Sequence, residues 1–296
     1  MKSKYPEIYL DALDNLWFQV AGTICNLSCK HCFNNSGPLN HAFEFMSLQQ
    51  CKPYIDEAVE MGVKEFYFTG GEPFANKELF QILEYTLQFG PATVLTNGML
   101  IKEKTAQALK KLSLDSIYTL ELRISLDGYT EEMNDNIRGK GVFKKTMNGL
   151  KFLYENGFLP IVTITKTWEG FEDDKILNEF IDTLKENGYK RPRLKILPPL
   201  KIGREVLRNK GYENYEYVNE EMLQDFDVSQ LICSNSRLVT DKGVYVCPIL
   251  LNSKDANLGN TLKEASKGYR LKHQACYTCY LYGAICSNFS SGGGDA

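Results

Sequence analysis

"CNLSCKHCF", residues 25–33, sets Cys25, Cys29 and Cys32 in the spacing C-x3-C-x2-C, with no fourth cysteine nearby. Three thiolates on one short loop cannot close a structural zinc site, which takes four protein ligands. They can hold three corners of a [4Fe–4S] cube and leave one iron open, as a catalytic site does for a substrate or cofactor. The alternative is a zinc knuckle that borrows a distant fourth ligand.

Outward from this loop, strand-like and helix-like segments alternate from residue 14 to 200. The apolar β-type runs are residues 16–20, 65–68, 93–95, 121–125, 160–165 and 193–197, with helical patterns between them. Glycines 62, 90, 157 and 188 end four of those patterns, as helix stops do. Six β/α units predict an α/β fold with a parallel sheet, too few strands for a closed eight-stranded barrel and so an open, partial one. Functional residues then belong where strands end and loops begin.

The cysteine loop follows the first strand. "YFTGGEPF" (67–74) follows the second; Gly70 and Gly71 permit close backbone approach, and Glu72 adds a carboxylate suited to seat an ammonium group. "LTNG" (95–98), with Asn97, ends the third, and "RISLDG" (123–128) ends the fourth, where Ser125 and Asp127 fall on one face. Arg138, in "NDNIRGKG" (134–141), is a candidate carboxylate partner, with a surface loop arginine as the alternative.

Together these strand ends resemble the radical S-adenosylmethionine (SAM) enzymes. The resemblance spans about residues 14 to 290 and implies a partial (β/α)6 TIM-like barrel. It further implies that Cys25, Cys29 and Cys32 ligate the SAM cluster. Gly70, Gly71 and Glu72 would hold the methionyl amino group, and Asn97, Ser125 and Asp127 would contact the ribose and methionyl parts of the cofactor, with Arg138 as a carboxylate partner. His31 takes the usual aromatic position, its backbone near adenine.

Beyond Pro198–Pro199 the rhythm changes. Residues 201–230 are a polar connector, and "LVTDKGVYVCP" predicts a hairpin turning at Asp241–Gly243. Cys233, Cys247, Cys276, Cys279 and Cys286 lie in this part. The region 231–290 resembles a shortened SPASM, or twitch, extension, which implies one auxiliary [4Fe–4S] cluster held by four of the five; a structural zinc site is the alternative. Cys286 is the expected spare, either a hydrogen donor or an inert thiol. Cys51 fits a buried small hydrophobe inside a helix. Residues 291–296 read as a flexible tail.

The 296-residue chain is 43% hydrophobic and 24% charged, an ordinary globular composition. Its net charge of −3 does not favour nucleic acid, and no run approaches a membrane span. Without a signal peptide it is expected to be cytoplasmic, where nine cysteines suit metal binding or catalysis better than disulfides. The resemblance implies an oxidoreductase or maturase that cleaves SAM reductively, fed by an external electron donor such as flavodoxin or ferredoxin. An additional N-terminal leader-gripping domain is expected to be absent. The first expectation is oxidation or cross-linking of a peptide or natural-product precursor. The second is a twitch-type dehydrogenase or epimerase of a small metabolite or peptide; a non-catalytic metal-binding protein is the reading from another class.

Overall fold

The computed structural model describes residues 5–168 and 173–283. After the short strand β1 (Glu7–Ile8) the barrel begins with β2 (Asn15–Phe18). Helix α1 (Leu48–Glu60) starts at a capping box: Gln50 N–H donates to Ser47 Oγ, and Ser47 N–H donates to Gln50 Oε1. There follow β3 (Glu65–Phe68), α2 (Leu79–Thr86), β4 (Ala92–Thr96), α3 (Glu103–Leu114) and β5 (Leu120–Ser125). Next come α4 (Glu131–Arg138), α5 (Val142–Glu155), β6 (Ile161–Thr165), α6 (Asp173–Glu186) and β7 (Arg193–Leu197). All six strands read from the sequence are present and parallel, in the order β2-β3-β4-β5-β6-β7.

The connector holds only short helical turns, among them α7 (Val206–Asn209). Helix α8 (Ile232–Asn235) then leads into β8 (Ser236–Thr240) and β9 (Gly243–Tyr245), joined at Asp241–Lys242 as the hairpin reading requires. Strand β8 pairs parallel with β2, so the hairpin and β10 (Asn257–Gly259) extend the barrel sheet itself. An open barrel leaves the far edge of β2 unpaired, and β8 satisfies those backbone groups. After α9 (Leu262–Ala265), β11 (Tyr269–Arg270) pairs with β1, and α10 (Ala275–Tyr282) closes the described chain.

With strands on both sides and helices over the sheet, β2 is covered on both faces: Leu16, Trp17 and Phe18 are each at most 1% exposed. Trp17 stacks on Tyr67 of β3 at 4.1 Å between ring centroids. Gly62, Gly157 and Gly188 take positive φ just past their helices, as helix stops do. Gly90 instead makes room for the Phe66 ring. Helix α4, which the sequence reading did not mark as a helix, is capped by Thr130, whose Oγ1 accepts from Met133 N–H. Among the described residues no helix is long and apolar enough to cross a membrane.

Candidate functional site

The ends of β2 through β7 open on one cavity of about 230 Å3. Cys25, Cys29 and Cys32 line it, together with Gly70, Gly71, Asn97, Ser125, His31 and Arg138. Burial pushes the Cys25 thiol up to about 12, and raises Cys29 as well, with Arg138 opposing. Thiols so buried stay protonated until a metal displaces the protons. Among the described residues no three His, Cys, Asp or Glu side chains gather around a single-ion position.

The two glycines after β3 serve the cysteine loop. A Cβ on Gly71 would strike the carbonyl of Ile24, and one on Gly70, at φ 141°, would crowd Ala21. Only glycine lets this turn lie flat enough for Gly71 N–H to reach Gly22 O and Glu72 N–H to reach Ile24 O, both at 3.0 Å.

Glu72, read from the sequence as a carboxylate suited to seat an ammonium group, is fully buried. Its oxygens accept from Thr96 Oγ1 (2.6 Å), Asn97 N (2.8 Å) and Phe74 N (3.0 Å). Burial raises its pKa, against the pull of those three donors. What it does is fix Asn97, whose Nδ2 donates to Asn26 Oδ1 at 2.8 Å beside Cys25.

Asp127, read from the sequence as a cofactor contact beside Ser125, is buried as well. Its side chain is wholly covered, and Oδ2 sits 2.6 Å from both Arg138 Nε and His31 Nε2, while Oδ1 accepts from Thr165 N at 2.8 Å. Burial alone would raise its pKa; the Arg138 guanidinium and His31 hold it well below the usual carboxylate range. Arg138 is therefore no surface arginine: it is 8% exposed and pinned at the end of α4. Ser125 lines the cavity, with its Oγ 3.4 Å from Thr163 Oγ1.

Among the described residues, buried polar atoms on the cavity wall without a protein hydrogen-bond partner include His31 Nδ1, Asn34 Oδ1, Ser36 Oγ and Trp17 Nε1. Buried polar groups are normally paired, so these belong to a cavity shaped for a polar occupant. That, and a trio of thiols on one loop, fits an iron–sulfur cluster with a polar cofactor beside it.

Residues 20–184 match the radical SAM superfamily. The chain belongs to that superfamily. The mycofactocin maturase MftC of Mycolicibacterium smegmatis is 36% identical over 135 residues, 45% of this chain and 33% of the relative. The subtilosin biosynthesis protein AlbA of Bacillus subtilis is 34% identical over 143 residues, 48% of this chain and 31% of the relative. Fe-coproporphyrin III synthase of Methanosarcina barkeri is 30% identical over 221 residues, 74% of this chain and 51% of the relative. The chain thus spans about a third to a half of these relatives. Among solved structures, Streptococcus suis SuiB aligns with TM-score 0.62 at 17% identity, over 84% of this chain and 63% of that one. The AdoMet-bound anSMEcpe aligns with TM-score 0.62 at 20% identity, over 85% and 79%. These likenesses agree with the partial α/β barrel.

A second group of cysteines in this radical SAM chain lies apart from the first. Cys233 on α8, Cys247 after β9, and Cys276 and Cys279 on α10 line a small apolar cavity with Tyr269 and Leu271. Burial pushes Cys233 up to about 12 and Cys247 to about 11, and Cys276 well above its ordinary value. Cys286 lies outside the described residues, as does the tail 291–296. Cys51 is fully buried inside α1, as read.

His41 pairs with Glu44 and His273 with Asp255, neither beside a cysteine cavity wall of the first site. The sequence reading missed Thr96, Asn134 and Arg204. Asn134 is fully buried and accepts from Asp127 N–H. Its one available signal was the Thr130 cap, which marks the start of the helix Glu131–Arg138 and so an inward face for Asn134.

Proposed function

We propose that the chain is a radical SAM enzyme acting on a peptide precursor, with its SAM cluster on Cys25, Cys29 and Cys32. The observation that carries this is the single cavity on which the cysteine loop and the ends of β3 to β6 converge. When bound, the cluster and SAM supply a 5′-deoxyadenosyl radical that takes a hydrogen atom from the substrate. This chain's residues bind, orient and enclose. The Gly70–Gly71 turn and Asn97 face the cofactor, Glu72 holds Asn97, and Asp127 holds His31 and Arg138 against the cysteine loop. Buried walls exclude water from the reacting centre.

In the same reading, residues 14–200 form the catalytic barrel, 201–230 connect, and 231–290 hold an auxiliary [4Fe–4S] cluster on Cys233, Cys247, Cys276 and Cys279. Their shared cavity supports that ligand set. The peptide class is supported by the maturase and the bacteriocin biosynthesis protein among the relatives. A small-molecule substrate is the second reading, favoured by the likeness to Fe-coproporphyrin III synthase over 74% of the chain.

Anaerobic reconstitution with iron and sulfide, then SAM and dithionite, tests the chemistry. Formation of 5′-deoxyadenosine is expected; its absence from a fully iron-loaded protein would overturn the reading.

A further inference from the structure

The side chain that braces the cysteine loop most extensively comes from outside the barrel. Arg204 stands on the connector, in the short turn Gly203–Glu205. Its Nε donates to the carbonyl of Cys29 at 2.8 Å, one Nη to Asn35 at 3.2 Å and the other to Ser36 at 2.6 Å. Its backbone N–H donates to the carbonyl of Cys32 at 3.0 Å. A single residue thus spans the loop from Cys29 to Ser36, the stretch that carries two of the three cysteines and two of the unpartnered cavity oxygens. The approach is close: Gly203 takes φ 60°, and a Cβ there would run into the carbonyls of Phe33 and Cys32.

The charge of Arg204 has nowhere else to go. The neighbouring carboxylate, Glu205, is taken by Arg208 at 3.0 Å, and every polar contact of the Arg204 side chain is a loop carbonyl. A planar guanidinium with fixed donors can bridge carbonyls that a lysine, a point charge on a flexible stem, cannot. Carbonyls held this way keep the backbone of Cys29 and Cys32 in one shape before any iron arrives. The positive charge meanwhile lies close enough to Cys29 to favour its ionised form against the opposing effect of burial.

We propose that Arg204 is a positioning residue for the three-cysteine cluster, one that holds the loop ready for ligation and raises the cluster's reduction potential. The inference rests on the reading that Cys25, Cys29 and Cys32 bind that cluster. Groups of this kind around a metal site typically change its affinity by about 10- to 100-fold when removed. Charge and hydrogen bonding near the sulfurs set the potential.

The test compares wild type, Arg204→Gln and Arg204→Lys after anaerobic reconstitution. The reduced-cluster electron paramagnetic resonance signal that shifts on adding SAM reports the three-cysteine cluster alone. Its midpoint potential is measured by dithionite titration, and its survival by the rate of loss to EDTA. Arg204→Gln should lose the signal roughly 10- to 100-fold faster and titrate at a more negative potential. Arg204→Lys should also lose it faster, because fewer carbonyls are bridged, yet titrate near wild type because the charge remains. Circular dichroism of the apoproteins checks that the barrel is intact; if Arg204→Gln does not fold, the Arg204→Lys loss rate decides. An unchanged potential in a folded Arg204→Gln, or an unchanged loss rate in Arg204→Lys, would overturn the proposal. Should wild type show no SAM-responsive signal, the cluster reading itself fails, independently of Arg204.

Discussion

Asp127 Oδ2 stands 2.6 Å from His31 Nε2, which ties the end of β5 to the middle of the cysteine loop. The contact turns the ring so that Nε2 meets the carboxylate, while Nδ1, without a protein hydrogen-bond partner, is left on the cavity side. Arg138 completes the arrangement from α4, where Lys30 N–H also donates to Ile137 O at 2.9 Å. The loop is thereby held from two sides, by Asp127 and α4 on one and by Arg204 on the other.

Removing the Asp127 charge should destabilise the protein before any cofactor is considered. Asp127→Asn leaves Arg138 buried without its counter-ion, a change that typically costs about 3–5 kcal/mol. The pH dependence has a definite sign. A carboxyl whose folded pKa lies below its unfolded value of about 3.9 stabilises fully above that value and loses its contribution as pH falls below it. Denaturant melts of the apoprotein should therefore separate wild type and Asp127→Asn fully at pH 7, and the gap should begin to narrow only as pH falls below about 4, closing as Asp127 protonates in the folded state. Equal stability at pH 7 would contradict the assignment of Asp127 as the anchor of this cluster of charges.

The barrel was legible because its signals are local. Apolar runs marked all six parallel strands, and the motifs at their ends identified the walls of the cavity. Side-chain direction was not legible in the same way. Glu72 and Asp127 sit in loops after their strands, where the period-two rule no longer says which way a carboxylate points. Each turned inward to donors supplied by distant segments, Thr96 and Asn97 for one, Arg138 and His31 for the other. The pairing of β8 with β2 was hidden for a related reason, since more than two hundred residues separate the partners in sequence. Arg204 had no motif at all; its partners are backbone carbonyls, which any sequence supplies.

Loss of one ligand from the first site should be decisive because only three are available. Cys29→Ala is expected to retain the fold and the second cluster but to abolish 5′-deoxyadenosine formation. Iron should fall from about eight to about four per chain if two four-iron clusters are present. Undiminished SAM cleavage by this variant would remove Cys29 from the site.

Glu72→Gln tests whether that carboxylate works through Asn97. Three donors point at its two oxygens, so the amide nitrogen of glutamine must face one of them. Asn97 should lose its fixed position while Cys25, Cys29 and Cys32 remain in place. Hydrogen bonds to a charged group are worth about 1.5–3 kcal/mol, so SAM should bind roughly ten- to a hundredfold more weakly, with iron content kept. Calorimetric titration of the reconstituted variant with SAM reads this directly. Wild-type affinity would show that Glu72 supports only the apo fold.

The second site can be dissected through its cysteine count. Cys276 and Cys279 project from α10 at helical spacing onto the cavity that Cys233 and Cys247 also line, which makes these four the ligands to test. Burial holds Cys233, Cys247 and Cys276 protonated, so assembly must release protons and should slow as pH falls. Cys276→Ala should cost about four irons per chain, the content of one [4Fe–4S] cluster, and leave the SAM-responsive signal intact. Cys286→Ala should keep all the iron. If that variant then loses solvent deuterium from the product while still making 5′-deoxyadenosine, Cys286 donates the final hydrogen atom and the reaction is an epimerisation. If product and iron are both unchanged, the thiol is inert. Loss of four irons from Cys286→Ala with retention in Cys276→Ala would reverse the ligand assignment.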